Sequence, residues 1–219
     1  MDQSKVISAS KAYTDRYDEE LDDAIPAFLR IVESKINTAM KTGEQSVRAQ
    51  IRLTANQEYY SLPKDFGGFR DVELVRKGSG SIDHYNALSP VGGQTLVYLS
   101  PEEMNKISRG QHQNNMYYTV TANQIQIAPP QTDDILEVVY YQLVPPLLNP
   151  TDSNWLSEKH PDAYVFGLCA EISAFAKDEV SFQGYDARFK ESLASITMDD
   201  QITRWSGPSL RTQVDGLTV

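Results

Sequence analysis

The sequence predicts an α+β protein, a helical bundle made from both chain ends with an antiparallel β domain, a small barrel or sandwich, inserted between them. Three observations predict it. Apolar residues recur at helical spacing up to Gly43, alternate with polar residues from Ser46, and return to helical spacing after Pro150. A lone amphipathic helix at the N-terminus cannot bury its stripe, so it is expected to pack on the C-terminal helices. The expected organisation is 1–43 and 150–206 for the bundle, 44–149 for the β domain and 207–219 for an extended tail.

The elements follow in order. Residues 4–18 read as a short, weak helix carrying Val6, Ile7, Tyr13 and Tyr17. The next stretch, DDAIPAFLRIVESKINTAMKTG, has Ile25, Phe28, Leu29, Val32, Ile36 and Met40 at helical spacing. Asp22 or Asp23 is its expected cap, Pro26 sits in its expected first turn, and Gly43 is its expected stop. In SVRAQIRLT, Val47, Ala49, Ile51 and Leu53 alternate with polar residues, the pattern of a half-buried strand. Further strands are expected at 57–62, 69–76, 95–99, 116–121, 124–128 and 135–144. Turn-rich pieces such as PKDFGG and KGSGS separate them. TVTANQIQIA reads as a tight hairpin turning at Ala122-Asn123. Ser100-Pro101-Glu102-Glu103 opens a short helix.

Beyond Pro150 a turn and a short helix are expected at 151–160. A longer helix follows at 162–177, with Val165, Leu168, Cys169, Ile172 and Phe175 on one face. The last runs from about 180 to Trp205, with Phe182, Tyr185, Phe189, Leu193 and Ile196 on one face. The tail after Gly207-Pro208 has no helical period.

Composition bounds the function. The 219 residues carry 20 Lys+Arg against 30 Asp+Glu, a net charge of −10. A protein that coats nucleic acid needs a basic footprint, and so does one that docks on an anionic membrane. The single cysteine, Cys169, excludes an internal disulfide and a cysteine-based zinc cluster. MDQSKVISAS lacks the apolar core of a signal peptide, and no apolar run is long enough to span a bilayer. The expectation is a soluble protein folded in a reducing cytoplasm.

No constellation for catalysis converges. His84, His112 and His160 have no second His or Cys at metal-ligand spacing. His160 and Asp162 form a conceivable dyad, but Pro161 between them favours a surface turn with Asp162 as a helix cap. Gly78–Ser81 reads as a hairpin tip rather than a phosphate cradle, because no Lys-bearing helix follows. Glu102 and Glu103 are adjacent in a helix and do not face each other. The acidic run from Asp15 to Asp23 lacks the order of a calcium loop and reads as a solvated helix start. Cys169 falls on an apolar face and reads as core. No metal, cofactor or catalytic residue is expected.

The order of the remaining segments is informative. IPAFLRIVESKINTAMK is followed by YYSLPKDF, YYTVTANQIQIAPP, LEVVYYQLVPPL and TDSNWLSEKHPDAYVFGLCAEISAFAKD. Over residues 22–178 this succession resembles the head-to-tail adaptor family of tailed bacteriophages, similar to the tail tubular protein A type. The resemblance implies a structural virion protein of the neck, made in the host cytoplasm, and not an enzyme. It implies a dodecameric ring beneath the portal protein that continues the DNA channel without sequence-specific binding of the genome. The helical part would face the portal, and the β domain would meet tail proteins, tail fibres and neighbouring subunits. It also implies a portal-docking tail, here Trp205, Leu210, Arg211, Val214, Leu217 and Val219. Acidic lumen walls that repel sliding DNA would then give the net charge a purpose. An alternative reading is a β-sandwich module for host-surface carbohydrate, with Tyr59, Tyr60, Tyr117 and Tyr118 around an aromatic cleft. A hydrolase is the third, disfavoured by the scattered histidines.

Overall fold

A computed structural model describes residues 1–75, 94–107, 116–130 and 134–205. The chain divides into two compact units, Met1–Glu44 with the chain from Val144 onward, and Gln45–Leu143.

The first unit is helical: α1 (Gln3–Thr14), α2 (Glu19–Ala39), α4 (Trp155–Lys159), α5 (Pro161–Phe175) and α6 (Glu179–Trp205). Asp2 caps α1 by accepting from the Lys5 N–H. Leu21, Ile25, Leu29, Val32 and Ile36 of α2 are buried together with Val6 of α1, Leu168 and Ile172 of α5, and Phe189, Leu193 and Ile196 of α6. Of the stripe expected on α6, Tyr185 is only partly buried.

The start of α2 differs from the sequence expectation. The helix begins at Glu19, so Asp22 and Asp23 lie inside it and Pro26 is an interior residue. The earlier start brings Leu21 into the core at 0% exposure and places Glu19, Glu20 and Asp22 at the positive end of the helix dipole. These gains offset an interior proline that costs roughly 3 kcal/mol. At the other end α2 stops at Ala39 with Met40 extended, before Gly43. Asp162 likewise is no cap. Helix α5 begins at Pro161 with His160 in the N-cap position, and the Asp162 carboxylate instead accepts from the Ser192 hydroxyl of α6.

The second unit contains β1 (Ser46–Arg52), β2 (Tyr59–Ser61), β3 (Phe66–Val75), β4 (Gln94–Thr95), β5 (Val97–Tyr98), β6 (Tyr117–Thr121), β7 (Gln124–Ala128), β8 (Ile135–Gln142) and the short helix α3 (Pro101–Ile107). They form two four-stranded sheets, β1-β8-β3-β4 and β2-β7-β6-β5, and among the described residues neither closes into a barrel. One apolar core draws on both sheets: Val72, Leu74, Leu136, Val138 and Tyr140 from the first, Tyr60, Ile125 and Ile127 from the second.

The sheets correct the sequence expectation in three places. The unit is not purely antiparallel, because β5 runs parallel to β6 with Val97 opposite Tyr117. The expected strand at 95–99 is two short strands flanking Leu96, which is buried. The Phe66-Gly67-Gly68 stretch, read as a separator, belongs to β3. Its register on β8 shifts between Phe66 and Asp71, and Gly68 has φ 146°, a conformation that only glycine takes readily. The expected hairpin turn at Ala122-Asn123 joins β6 to β7, with Thr121 opposite Gln124.

Candidate functional site

Helix α6 buries one face and leaves an adjoining stripe open. Lys190, Leu193, Ala194, Thr197, Met198 and Gln201 recur at intervals of three and four, which places them in one line along the helix. With Ala39 at the end of α2 they line a groove of about 440 Å³. Leu193 forms part of its floor and is itself 7% exposed, whereas Met198 is 64% exposed and Ile202, one residue beyond the stripe, 58%. The wall is fixed by Asp200, whose carboxylate accepts from the Gly43 backbone N–H at 2.6 Å. This bond ties the chain leaving α2 to α6.

A second construction holds the chain where it re-enters the helical unit. Glu33 and Asn37 stand one turn apart on α2. Asn37 accepts from the Val144 N–H at 2.7 Å and Glu33 from the Leu147 N–H at 2.7 Å. Two side chains thereby satisfy two backbone donors of VPPLLNP, a segment whose prolines forbid it a helix of its own. The same segment is gripped from below by Asn154. Its Nδ2 donates to Pro145 O at 2.7 Å and to Tyr164 Oη at 2.8 Å, while its Oδ1 caps α4 by accepting from Ser157 N at 2.8 Å. The Ser157 hydroxyl accepts from Asn154 N, completing a capping box.

Burial raises the Glu33 pKa above its ordinary 4.5, against the opposing pull of the Leu147 N–H and Arg30. The folded protein therefore holds that proton more tightly than the unfolded chain does. Stability from this group is present at low pH and declines as pH rises through the interval above 4.5. Asp2 and Asp18, held near pKa 2 chiefly by hydrogen bonds from Lys5 and Arg16, act in the opposite sense. Their contribution is present above 3.8 and is lost as pH falls toward 2. Urea midpoints across pH should show Glu33→Gln abolishing the decline above 4.5 and leaving the acid loss in place.

The remaining candidates fall as follows. Trp205 is the last residue of α6, and Leu210, Arg211, Val214, Leu217 and Val219 lie outside the described residues, as do His84, His112 and Gly78–Ser81. Cys169 is fully buried and burial pushes its thiol up to about 11, far from a nucleophile's range. Among the described residues no group of three His, Cys, Asp or Glu side chains is placed to hold a metal ion. The four tyrosines divide between the two faces of their sheet. The register puts Tyr60 and Tyr118 on the face with Ile125, and Tyr59 and Tyr117 on the face with Thr119. Tyr60 is buried with its hydroxyl bonded to the Thr54 N–H and Gln57 O, so no single aromatic cleft joins all four.

Sequence reasoning missed the groove and Asn154. The groove residues were legible only as the margin of a core stripe, since Leu193 belongs to both. Asn154 had a readable signature, a capping residue followed three positions later by Ser157.

No described helix is long and apolar enough to cross a membrane. A search of curated proteins finds no match. A profile of the family described as SU10 adaptor protein matches residues 1–212, which takes in both compact units and the whole of α6. Because that match covers nearly the whole chain, the chain belongs to the SU10 adaptor protein family, a family of phage structural adaptors.

Proposed function

We propose that the chain is the repeating subunit of an adaptor ring that docks beneath the portal, joins head to tail and continues the DNA channel. The observation that carries this reading is the family match across both units. The ring is a dodecamer of the tail tubular protein A type, closed by a heterologous interface in which one surface of each subunit meets a different surface of the next. The helical unit, formed from both chain ends, faces the portal, and the β unit meets neighbours and tail components.

The charge distribution supports this division of labour. Residues 1–44 and 144–219 hold 20 acids against 12 bases, while residues 45–143 hold 10 against 8. The surplus acid thus belongs almost wholly to the helical unit. A lumen formed there repels DNA and releases no counterions to it, so the genome slides without sticking. A ring whose inner wall maps as basic contradicts this.

Residues 205–219, with Leu210, Arg211, Val214, Leu217 and Val219, dock on the portal by adding a strand or filling a groove. Mixing the chain with a portal and measuring mass and symmetry tests the ring. Twelve subunits on a portal are expected, and deletion of residues 208–219 is expected to weaken that association at least about tenfold, a loss of roughly 1.4 kcal/mol. Undiminished portal binding by the deleted chain removes the tail from the mechanism. Glycan binding by the chain alone points to the carbohydrate module instead.

A further inference from the structure

We infer that the free edge of β1 is a docking site for an extended segment of a partner protein, one that carries acids four residues apart and joins the sheet as a further strand. β1 is seven residues long and ends the β1-β8-β3-β4 sheet, with β8 on one side and no described strand on the other. The other strands that end a sheet, β2, β4 and β5, have only two or three residues. Short edges resist strand addition, and so do edges broken by proline or a bulge. SVRAQIR contains no proline, and its register on β8 runs unshifted from Ser46 to Arg52.

That register decides which main-chain groups face outward. Leu53 N–H donates to Asp134 O at 2.9 Å, continuing the β1–β8 pairing by one residue. In an antiparallel ladder the residues that exchange hydrogen bonds alternate, so Val47, Ala49 and Ile51 direct their main-chain groups at β8. The N–H and C=O groups of Arg48, Gln50 and Arg52 therefore point to the open edge, and they have no hydrogen-bond partner among the described residues. An added strand makes about six main-chain hydrogen bonds with them.

The side chains define what that strand carries. On the core side Val47, Ala49 and Ile51 are only partly buried, whereas Leu53 is 2% exposed. Apolar residues of the added strand finish covering them. On the outer side the edge row is Arg48, Gln50 and Arg52, all exposed. Arg48 meets Glu137 at 2.7 Å with its side chain still 61% exposed, and Arg52 has no ion-pair partner among the described residues. The acids of this face, Glu137 on β8 and Asp71 and Glu73 on β3, stand one and two strands in from the edge, about 5 and 10 Å away. The rim itself is basic and favours acids opposite Arg48 and Arg52. A second copy's β1 brings four arginines together and no acid, and is disfavoured. In the neck such a segment belongs to a tail component that the β unit meets. That identification rests on the proposed function, whereas the capacity of the edge for an acid-bearing strand does not.

A fluorescent peptide, Val-Glu-Val-Thr-Val-Glu-Val between Gly-Ser flanks, tests this on the full chain. Its palindromic order sets both acids opposite Arg48 and Arg52 in either strand direction. Fluorescence anisotropy should show saturable binding at or below about 1 mM peptide. Val-Lys-Val-Thr-Val-Lys-Val should bind at least about tenfold more weakly, and Arg48→Glu with Arg52→Glu should reverse that order. Gln50→Pro removes one outward N–H and leaves the bonds to β8 in place, so it should weaken binding at least about tenfold. In the unsubstituted chain, saturating peptide should slow hydrogen exchange of the Arg48, Gln50 and Arg52 amides at least about tenfold. No saturable binding, or equal binding of the two peptides, overturns the inference. Binding that leaves those three amides exchanging freely places the peptide elsewhere and overturns it too. Slowing of the same amides as the chain alone is concentrated also overturns it, since a second copy then covers the edge. Because no portal is present, either result leaves the ring test to stand or fall separately.

Discussion

Gly167→Ala lowers stability and Gly184→Ala raises it, although the chemical change is identical and both positions are helical. Alanine in place of glycine in a helix interior gains about 0.5–1 kcal/mol from reduced backbone entropy in the unfolded chain. At Gly184 on α6 nothing lies within 4 Å of the added Cβ, so that gain is realised in full. At Gly167 on α5 the added Cβ meets Val32 Cγ1 of α2 at 2.7 Å and the Phe189 ring of α6 at 3.1 Å. Val32 is 0% exposed and β-branched, with one strongly preferred rotamer in a helix, so it cannot swing aside. Overpacking of this kind costs typically about 1–3 kcal/mol, which exceeds the helix gain and leaves a net loss of roughly 1–2 kcal/mol. The expected thermal midpoints move apart by several degrees, at about 2–4 °C per kcal/mol for a chain of this size. A Gly167→Ala protein as stable as the parent means that α2 and α6 do not both close on α5 at this residue.

That crossing shows what the sequence made legible. Ile25, Leu29, Val32 and Ile36 repeat at helical spacing, and the structure buries all of them. Leu168 and Ile172 behave the same way, because a core stripe is a local signal written in one helix. Gly167 is different. Its requirement is set by Val32, 135 positions earlier, and Phe189, 22 positions later, and no local pattern records a distant close approach. The start of α2 failed for a related reason. Pro26 reads as a first-turn residue on local preference, and only the burial of Leu21 against other helices shows that the helix begins a turn and more before it. In the β unit, alternation at Val47–Leu53 and the two-residue turn at Ala122-Asn123 were readable. Pairing order was not, and the parallel β5–β6 contact joins strands separated by a stretch that includes α3.

The functional surface was less legible than the fold. Stripes are read by searching for what is buried, so the exposed margin of α6, with Met198 and Ile202, carries no signal until the partners of Leu193 are known. A resemblance to phage adaptors was readable from the order of segments that include VPPLLNP and the helix start after it, and the family match bears out that coarser reading without the tail tubular protein A type. The reason VPPLLNP has a fixed course is three-dimensional: Glu33 and Asn37 hold its amides from α2, and Asn154 holds its carbonyl side.

Asn154→Ala is accordingly expected to cost far more than the loss of a helix cap. The side chain is 7% exposed and makes three hydrogen bonds of 2.7–2.8 Å. Losing the cap on Ser157 N costs about 1 kcal/mol. Pro145 O and the hydroxyl of Tyr164, a residue with 0% exposure, each lose their donor, and a buried polar group left unmet costs about 1–3 kcal/mol. The total is on the order of 3–5 kcal/mol, a large share of a domain's stability of roughly 5–15 kcal/mol. Two companions separate the terms. Asn154→Asp keeps the capping oxygen but turns its second carboxylate oxygen toward Pro145 O, two acceptors face to face at a buried site, so it should remain at least as destabilised as alanine at neutral pH. Tyr164→Phe removes the hydroxyl that alanine strands. The double variant Asn154→Ala with Tyr164→Phe should therefore be less destabilised than the sum of its parts, by about 1 kcal/mol or more in urea midpoints. Strict additivity of the two changes refutes the shared bond. Non-additivity with an unchanged helical content places the loss in the clasp itself, where α4, α5 and the proline segment are held by one amide.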